Sequence, residues 1–205
     1  MVLASVFAGV MFLGLIVGDW WYFIRLTPDA VRYGCRVGGR VEPWQEQTLS
    51  TARTRFNADG SLMLPHGVAW FDPTLSLIAI RPQYRLFARS FRTAWPLKGL
   101  IHLSNNNQAV QARCIKRIPW SSALITIVWF TLVIIGSLTF VIQYALDGGF
   151  GTFGGMLTGV VVIAVAALVT AFGLVTAALS YRLEDSRLMK VYDELREVLE
   201  KPPAV

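Results

Sequence analysis

The chain has 205 residues, of which 54% are hydrophobic and only 16% charged. That balance excludes an ordinary soluble domain, where about a quarter of residues carry charge. The formal charge of +6 comes from basic residues that are as unevenly distributed as the apolar ones.

Three apolar runs stand out. Val2 to Ile24 contains one charged side chain, Asp19, while Ser121 to Leu146 and Gly148 to Tyr181 contain none. Each run reaches the ~20 residues that a helix needs to cross about 30 Å of hydrocarbon. The first run has no Lys or Arg before it and no small-residue cleavage site, so the sequence predicts a retained anchor and not a cleaved signal. It ends in Asp19-Trp20-Trp21-Tyr22-Phe23-Ile24-Arg25, an aromatic belt at the headgroup level. Asp19 is expected there as an interfacial carboxylate that pairs with Arg25 or a neighbouring helix.

All nineteen Lys and Arg fall in two segments, fourteen in Arg25 to Arg117 and five in Arg182 to Lys201. The amino terminus and the loop after Tyr144 have none. By the positive-inside bias this predicts an outer amino terminus, a cytoplasmic middle segment and a cytoplasmic tail. The expected organisation is a transmembrane helix over 1–25, a basic β-rich cytoplasmic domain over 26–118, a transmembrane helical hairpin over 119–181 with its outer loop at about 146–154, and an amphipathic tail helix over 182–205. The fold class is thus an α+β membrane protein, with the β-domain inserted between the first two spans.

In the middle segment, strands are expected at Tyr33–Val41, Thr51–Phe56, Ser61–Leu64, Gly67–Phe71, Leu75–Ile80, Leu97–Leu103 and Val110–Ile115. Turn chemistry at Asn57-Ala58-Asp59-Gly60, Asp72-Pro73 and Ser104 to Asn107 separates them. Short strands at this spacing predict a sandwich or a partly open barrel. After Tyr181, Leu188, Tyr192, Leu195 and Leu199 form one apolar stripe on a helix that stops before Pro202-Pro203. The stripe reads as a docking element, either for the cytoplasmic domain or for a partner. Gly14 and Gly18 on the first span, and Gly155 and Gly159 with Ala167 and Ala171 on the third, form small faces at which helix backbones could approach closely.

Gly149, Gly151 and Gly154 match the spacing G-x-G-x-x-G. A phosphate loop needs a preceding strand and a helix presenting its amino end. Here the glycines join two apolar helices, so the sequence predicts a reversing turn. Cys35, Cys114, His66 and His102 lack the close ligand pairs of a zinc site, and the cysteines are expected as reduced thiols. No nucleophile elbow, phosphate loop or metalloprotease signature is present, and no cofactor is expected.

The most distinctive soluble stretch is Arg81 to Lys98, in which Arg81, Arg85, Arg89 and Arg92 alternate with Tyr84, Phe87, Phe91 and Trp95. Such interleaving serves single-stranded nucleic acid or an anionic leaflet. With membrane helices on both flanks, the leaflet or an acidic partner is the reading, and no nucleic acid is expected. Arg81, Arg85, Arg89, Arg92, Trp95 and Lys98 are the expected contact residues. The function expected from sequence is a non-catalytic accessory or assembly subunit of a bacterial inner-membrane complex. The rivals are a membrane-tethered sensor or immunity-type blocker of another membrane protein, and a small membrane-bound enzyme.

Overall fold

The computed structural model describes residues 2–44, 54–83, 93–106 and 109–200. The chain forms two compact units, one of Met1–Ser121 with Arg182–Val205 and one of Ser122–Tyr181.

The first unit opens with helix α1 (Val2–Phe23) and the short helix α2 (Pro28–Val31). Thr27, in extended conformation, caps α2, and Pro28 occupies its first turn, where a missing N–H costs nothing. Six strands follow: β1 (Cys35–Trp44), β2 (Ser61–Met63), β3 (Gly67–Asp72), β4 (Leu77–Pro82), β5 (Lys98–Asn106) and β6 (Ala109–Ile118). They make one antiparallel sheet in the order β1-β6-β5-β4-β3-β2. Strands β2 to β6 follow one another as hairpins, whereas β1 returns to pair with β6, with Cys35 opposite Ile118 and Trp44 opposite Val110.

The expected sandwich or barrel is corrected to a single sheet, whose second layer comes from the carboxy-terminal helix. The expected strand at Thr51–Phe56 is also corrected in part. Residues 51–53 lie outside the described residues, Thr54 and Arg55 are helical, and Phe56 is buried against Phe71 with ring centroids 5.4 Å apart.

Because strand side chains alternate, the pairing register sorts the sheet into two faces. One carries Trp44, Glu42, Val110, Ala112, Cys114, Lys116, Ile101, Leu103, Ile78, Ile80, Ala69 and Phe71. The tail segment of the last helix covers this face. Leu188, Val191, Tyr192, Leu195 and Leu199 are all 0–1% exposed, and a Cβ on Gly67 would lie 2.6 Å from Val191. The opposite face carries Arg36, Gly39, Val41, Gln111, Arg113, Ile115, Arg117, Lys98, Leu100, His102, Leu77, Ala79, Arg81, Trp70 and Asp72. Part of it is covered, where Val31 of α2 packs with Leu77, Ala79 and Leu100 and where Lys98 is buried.

The last two helices are α3 (Trp120–Leu146) and α4 (Phe153–Glu200), with a 3-10 turn at Gly149–Gly151 between them. The third apolar run and the tail form one 48-residue helix, so the expected separate tail helix is the end of α4. Gly148 takes φ 73°, the left-handed conformation that reverses the chain. Tyr144 packs edge-on to Phe150 at 5.3 Å and donates to the Gly155 carbonyl at 3.2 Å. Gly155 and Gly159 therefore abut the connection, at the Gly149 carbonyl and the Phe150 ring, and Gly173 abuts Trp129 and Phe130. Gly14 and Gly18 have nothing within 4 Å of a Cβ position. Helices α1, α3 and α4 are each long and apolar enough to cross a membrane.

Candidate functional site

On the tail-covered side several polar groups meet partners from the helix. Trp44 donates its indole N–H to the Tyr192 hydroxyl at 2.9 Å, and their rings lie 5.5 Å apart. Lys116 pairs with Asp185, His66 with Glu194, and Glu42 lies 3.9 Å from Arg196. Burial pushes the Tyr192 phenol up, with Glu42 beside it adding to the shift. Burial likewise pushes the Cys114 thiol up to about 11, which leaves it protonated and inert at neutral pH.

Near the carboxy-terminal end of α1, Asp19 accepts from the Tyr33 hydroxyl and from both the backbone N–H and the hydroxyl of Ser121, at 3.0 and 2.6 Å. Asp19 is thus a capping carboxylate at the start of α3, paired through Ser121 and Tyr33 and not through Arg25. The Arg25 guanidinium lies 5.7 Å from the Trp21 ring centre. The hydrogen bond to Asp19 is the main reason the Tyr33 phenol rises to about 12.

Lys98, expected at a membrane-facing surface, is instead 1% exposed. Its amine donates to the Phe23 carbonyl at 3.1 Å and the Ala30 carbonyl at 2.7 Å, and lies 4.6 Å from the Phe23 ring centre. It fastens the ends of α1 and α2 to the sheet, and the unsatisfied carbonyls of a helix end are natural acceptors for it. Burial, reinforced by Arg117 and Arg81, pulls its pKa down to about 7.

Lys98 belongs to an unusual row. In the ladder Arg36 stands opposite Arg117, and Arg117 opposite Lys98, while Arg81 is close enough to depress Lys98. Like charges on facing strands destabilise a sheet. Arg117 relieves part of its charge by donating to the Gly34 carbonyl at 2.7 Å, but its buried Nε has no partner among the described residues. Burial and the neighbouring Arg36 both lower its pKa.

Beyond this row the open face sinks into a hollow of about 590 Å³. Its lining includes Arg36, Gly39, His102, Ser104, Gln111 and Arg113, with no acidic side chain among the described residues that line it. A bulge between Arg36 and Gly38 keeps Arg36 on the same face as Gly39 although they are three residues apart. Gly39 leaves the floor bare, and the Arg36 guanidinium nitrogen lies 3.8 Å from where its Cβ would be. Arg36 and Arg113 have no hydrogen bond or ion pair among the described residues; Arg40, at the rim, pairs with Glu42. His102 is pushed below the usual imidazole value by burial first, then by Arg32, Arg113 and Arg117.

Arg85, Arg89 and Arg92 lie outside the described residues, Trp95 is half-buried, and Arg81 and Lys98 join the basic row. The hollow itself was not anticipated, because its parts come from β1, β5 and β6. The signal was the alternation in β6, where Gln111, Arg113 and Arg117 interleave with Val110, Ala112 and Cys114. Among the described residues no three His, Cys, Asp or Glu gather as a metal site. No known protein family, curated protein or solved structure matches the chain.

Proposed function

We propose that the chain is a non-catalytic accessory subunit of a bacterial inner-membrane complex. In this reading its three apolar helices span the bilayer and its sheet turns a basic face to anionic groups at the cytoplasmic surface. The observation that carries the reading is the open sheet face. Arg36, Arg113 and Arg117 are brought together there without acidic partners among the described residues, Asp72 on the same face lying near Arg32, while the other face is closed by the tail. A surface that holds such arginines is suited to an anionic leaflet, where each Lys or Arg contributes about 1 kcal/mol of attraction. The confinement of all basic residues to two segments supports a cytoplasmic sheet and tail.

Cysteine labelling in intact cells tests the orientation. In a Cys35→Ser background, with Cys114 buried and unreactive, an impermeant maleimide should reach Gly151→Cys and not Ala58→Cys. The reverse pattern would overturn the reading. Mild-detergent purification of the tagged full chain tests the subunit claim. Stoichiometric co-eluting chains are expected, and recovery of the chain alone contradicts it.

A further inference from the structure

Proteins bind phosphate groups by converging guanidinium, imidazole, hydroxyl and amide donors on a site free of acids. The hollow holds that donor set. Arg36 leans over the glycine floor from the α1 side, and Arg113 and His102 face each other across β6 and β5 at the far side. Ser104 and Gln111 form the next pair along. Arg117 and Arg113 are four residues apart on one strand, about 13 Å at ~3.3 Å per residue, so the two basic walls bracket a space larger than a lone carboxylate would fill. The volume falls within the usual ligand-pocket range of about 300–1,000 Å³.

Two further observations point to an anion as the missing component. The row of Arg36, Arg117 and Lys98 brings like charges together on neighbouring strands, an arrangement that a bound anion would relieve. Arg113 stands directly opposite His102, and after burial itself Arg32, Arg113 and Arg117 disfavour the charged form of this half-buried imidazole, so positive groups converge on the hollow. The hollow also begins beside the inner end of α1. Cys35 pairs with Ile118, Gly34 lies against the Phe23 ring, and Phe23 is the last residue of α1.

We propose that the hollow between Arg36 and Arg113 is a binding site for a phosphate ester, supplied either by the headgroup of an anionic lipid or by a soluble phosphate compound. The proposal rests on the basic-face reading above, but not on the orientation of the chain or on its partners. Arg36 and Arg113 grip the phosphate oxygens, His102 adds an imidazolium once the anion offsets the surrounding arginines, and Ser104 and Gln111 contact the ester substituent.

The test uses the full chain in a neutral detergent at constant ionic strength. Binding of short-chain phosphatidylglycerol, short-chain phosphatidylcholine and inorganic phosphate is measured for wild type, for R36Q/R113Q and for the control R182Q/K190Q. All four substituted residues are exposed, and the control removes the same charge from α4. Wild type and control should bind phosphatidylglycerol saturably, and R36Q/R113Q at least tenfold more weakly. The His102 ring signals should shift on binding and report a raised pKa. Preference for phosphatidylglycerol over inorganic phosphate identifies the lipid source, and equal or tighter binding of inorganic phosphate identifies the soluble one. Either result supports the site. It is overturned if wild type binds neither anionic probe, if R36Q/R113Q binds like wild type, or if the control loses as much affinity. Failure here with correct labelling of Gly151→Cys would leave the orientation standing and remove only the site.

Discussion

The two faces of the sheet are built from the same strands and carry charge in opposite ways. On the tail-covered side Lys116 and Glu42 each meet a group of opposite sign from α4, His66 meets Glu194, and aliphatic and aromatic side chains fill the space between. On the open face Arg36, Arg113 and Arg117 have no acidic partner among the described residues, and Arg36 and Arg117 stand opposite each other. Burying a charge without a partner costs more than pairing it returns, so a closed face must be neutralised internally. A face that keeps Arg36, Arg113 and Arg117 without acidic partners among the described residues is free to meet an anion from outside the chain. Charge removal should therefore have opposite consequences on the two faces.

The largest effect is expected from breaking the closed face. Leu195 is fully buried. Leu→Ala at such sites costs about 2–5 kcal/mol, and Leu195→Asp adds the burial of a carboxylate. Against a total domain stability of about 5–15 kcal/mol, this change should unfold the sheet unit. Because the tail stripe is buried against the sheet, its disruption should not leave the β-domain intact. Limited proteolysis of the full chain in detergent should show cleavage within 54–118 in the variant and not in wild type. A protected sheet would mean that the tail is not its second layer.

Lys98→Met comes next. It strands the Phe23 and Ala30 carbonyls, and each unmet buried acceptor costs about 1–3 kcal/mol, so the melting temperature should fall by several degrees. Lys98 also sets a pH dependence. Its folded pKa, about 7, lies below the ordinary 10.5, so between those values the unfolded chain binds the extra proton and stability rises with pH. The contribution is absent below pH 7 and complete above about 10.5. Thermal unfolding at pH 6 and pH 9 should show the later sample more stable, and the part of that difference due to Lys98 should vanish in Lys98→Met. An unchanged slope in the variant would assign the pH effect elsewhere.

The smallest effects test the sign of the comparison. Glu194→Gln weakens a pair whose His66 side chain is 64% exposed, so a loss below about 1 kcal/mol is expected. Arg36→Gln removes one of two facing arginines and should leave stability unchanged or slightly raised at low salt, with the gain disappearing as salt screens the repulsion. Melting curves at two ionic strengths check both. A destabilising Arg36→Gln would mean that the open face is compensated internally after all.

What the sequence revealed and what it hid follow from the range of the interactions. The apolar spans were readable because bilayer length and composition fix them without reference to any other part of the chain. Strands β2 to β6 were readable because local hairpins and turn residues mark them. The single sheet was not, since it depends on β1 pairing with β6 far along the chain and on α4 covering one face. Leu188, Tyr192, Leu195 and Leu199 could be recognised as a stripe, but the surface that buries them could not. The contiguous run Arg81 to Lys98 drew attention through its local pattern, whereas Arg36, His102 and Arg113 meet only through strand order. Lys98 looked like any surface lysine because nothing local reveals that two helix-end carbonyls lie above it.

The central claim, that the open face and not the tail side meets the anionic surface, is tested most directly with paired probes on the full chain in lipid nanodiscs. A spin label at Val41 reports the open face and one at Asp193 the outer side of the tail; both positions are exposed. Moving from phosphatidylcholine to phosphatidylglycerol discs should reduce the access of a neutral water-soluble relaxation agent to the Val41 label. Access to the Asp193 label should stay the same, and the difference should diminish at high salt. Equal access at Val41 in both lipids, or a larger loss at Asp193, would contradict the account.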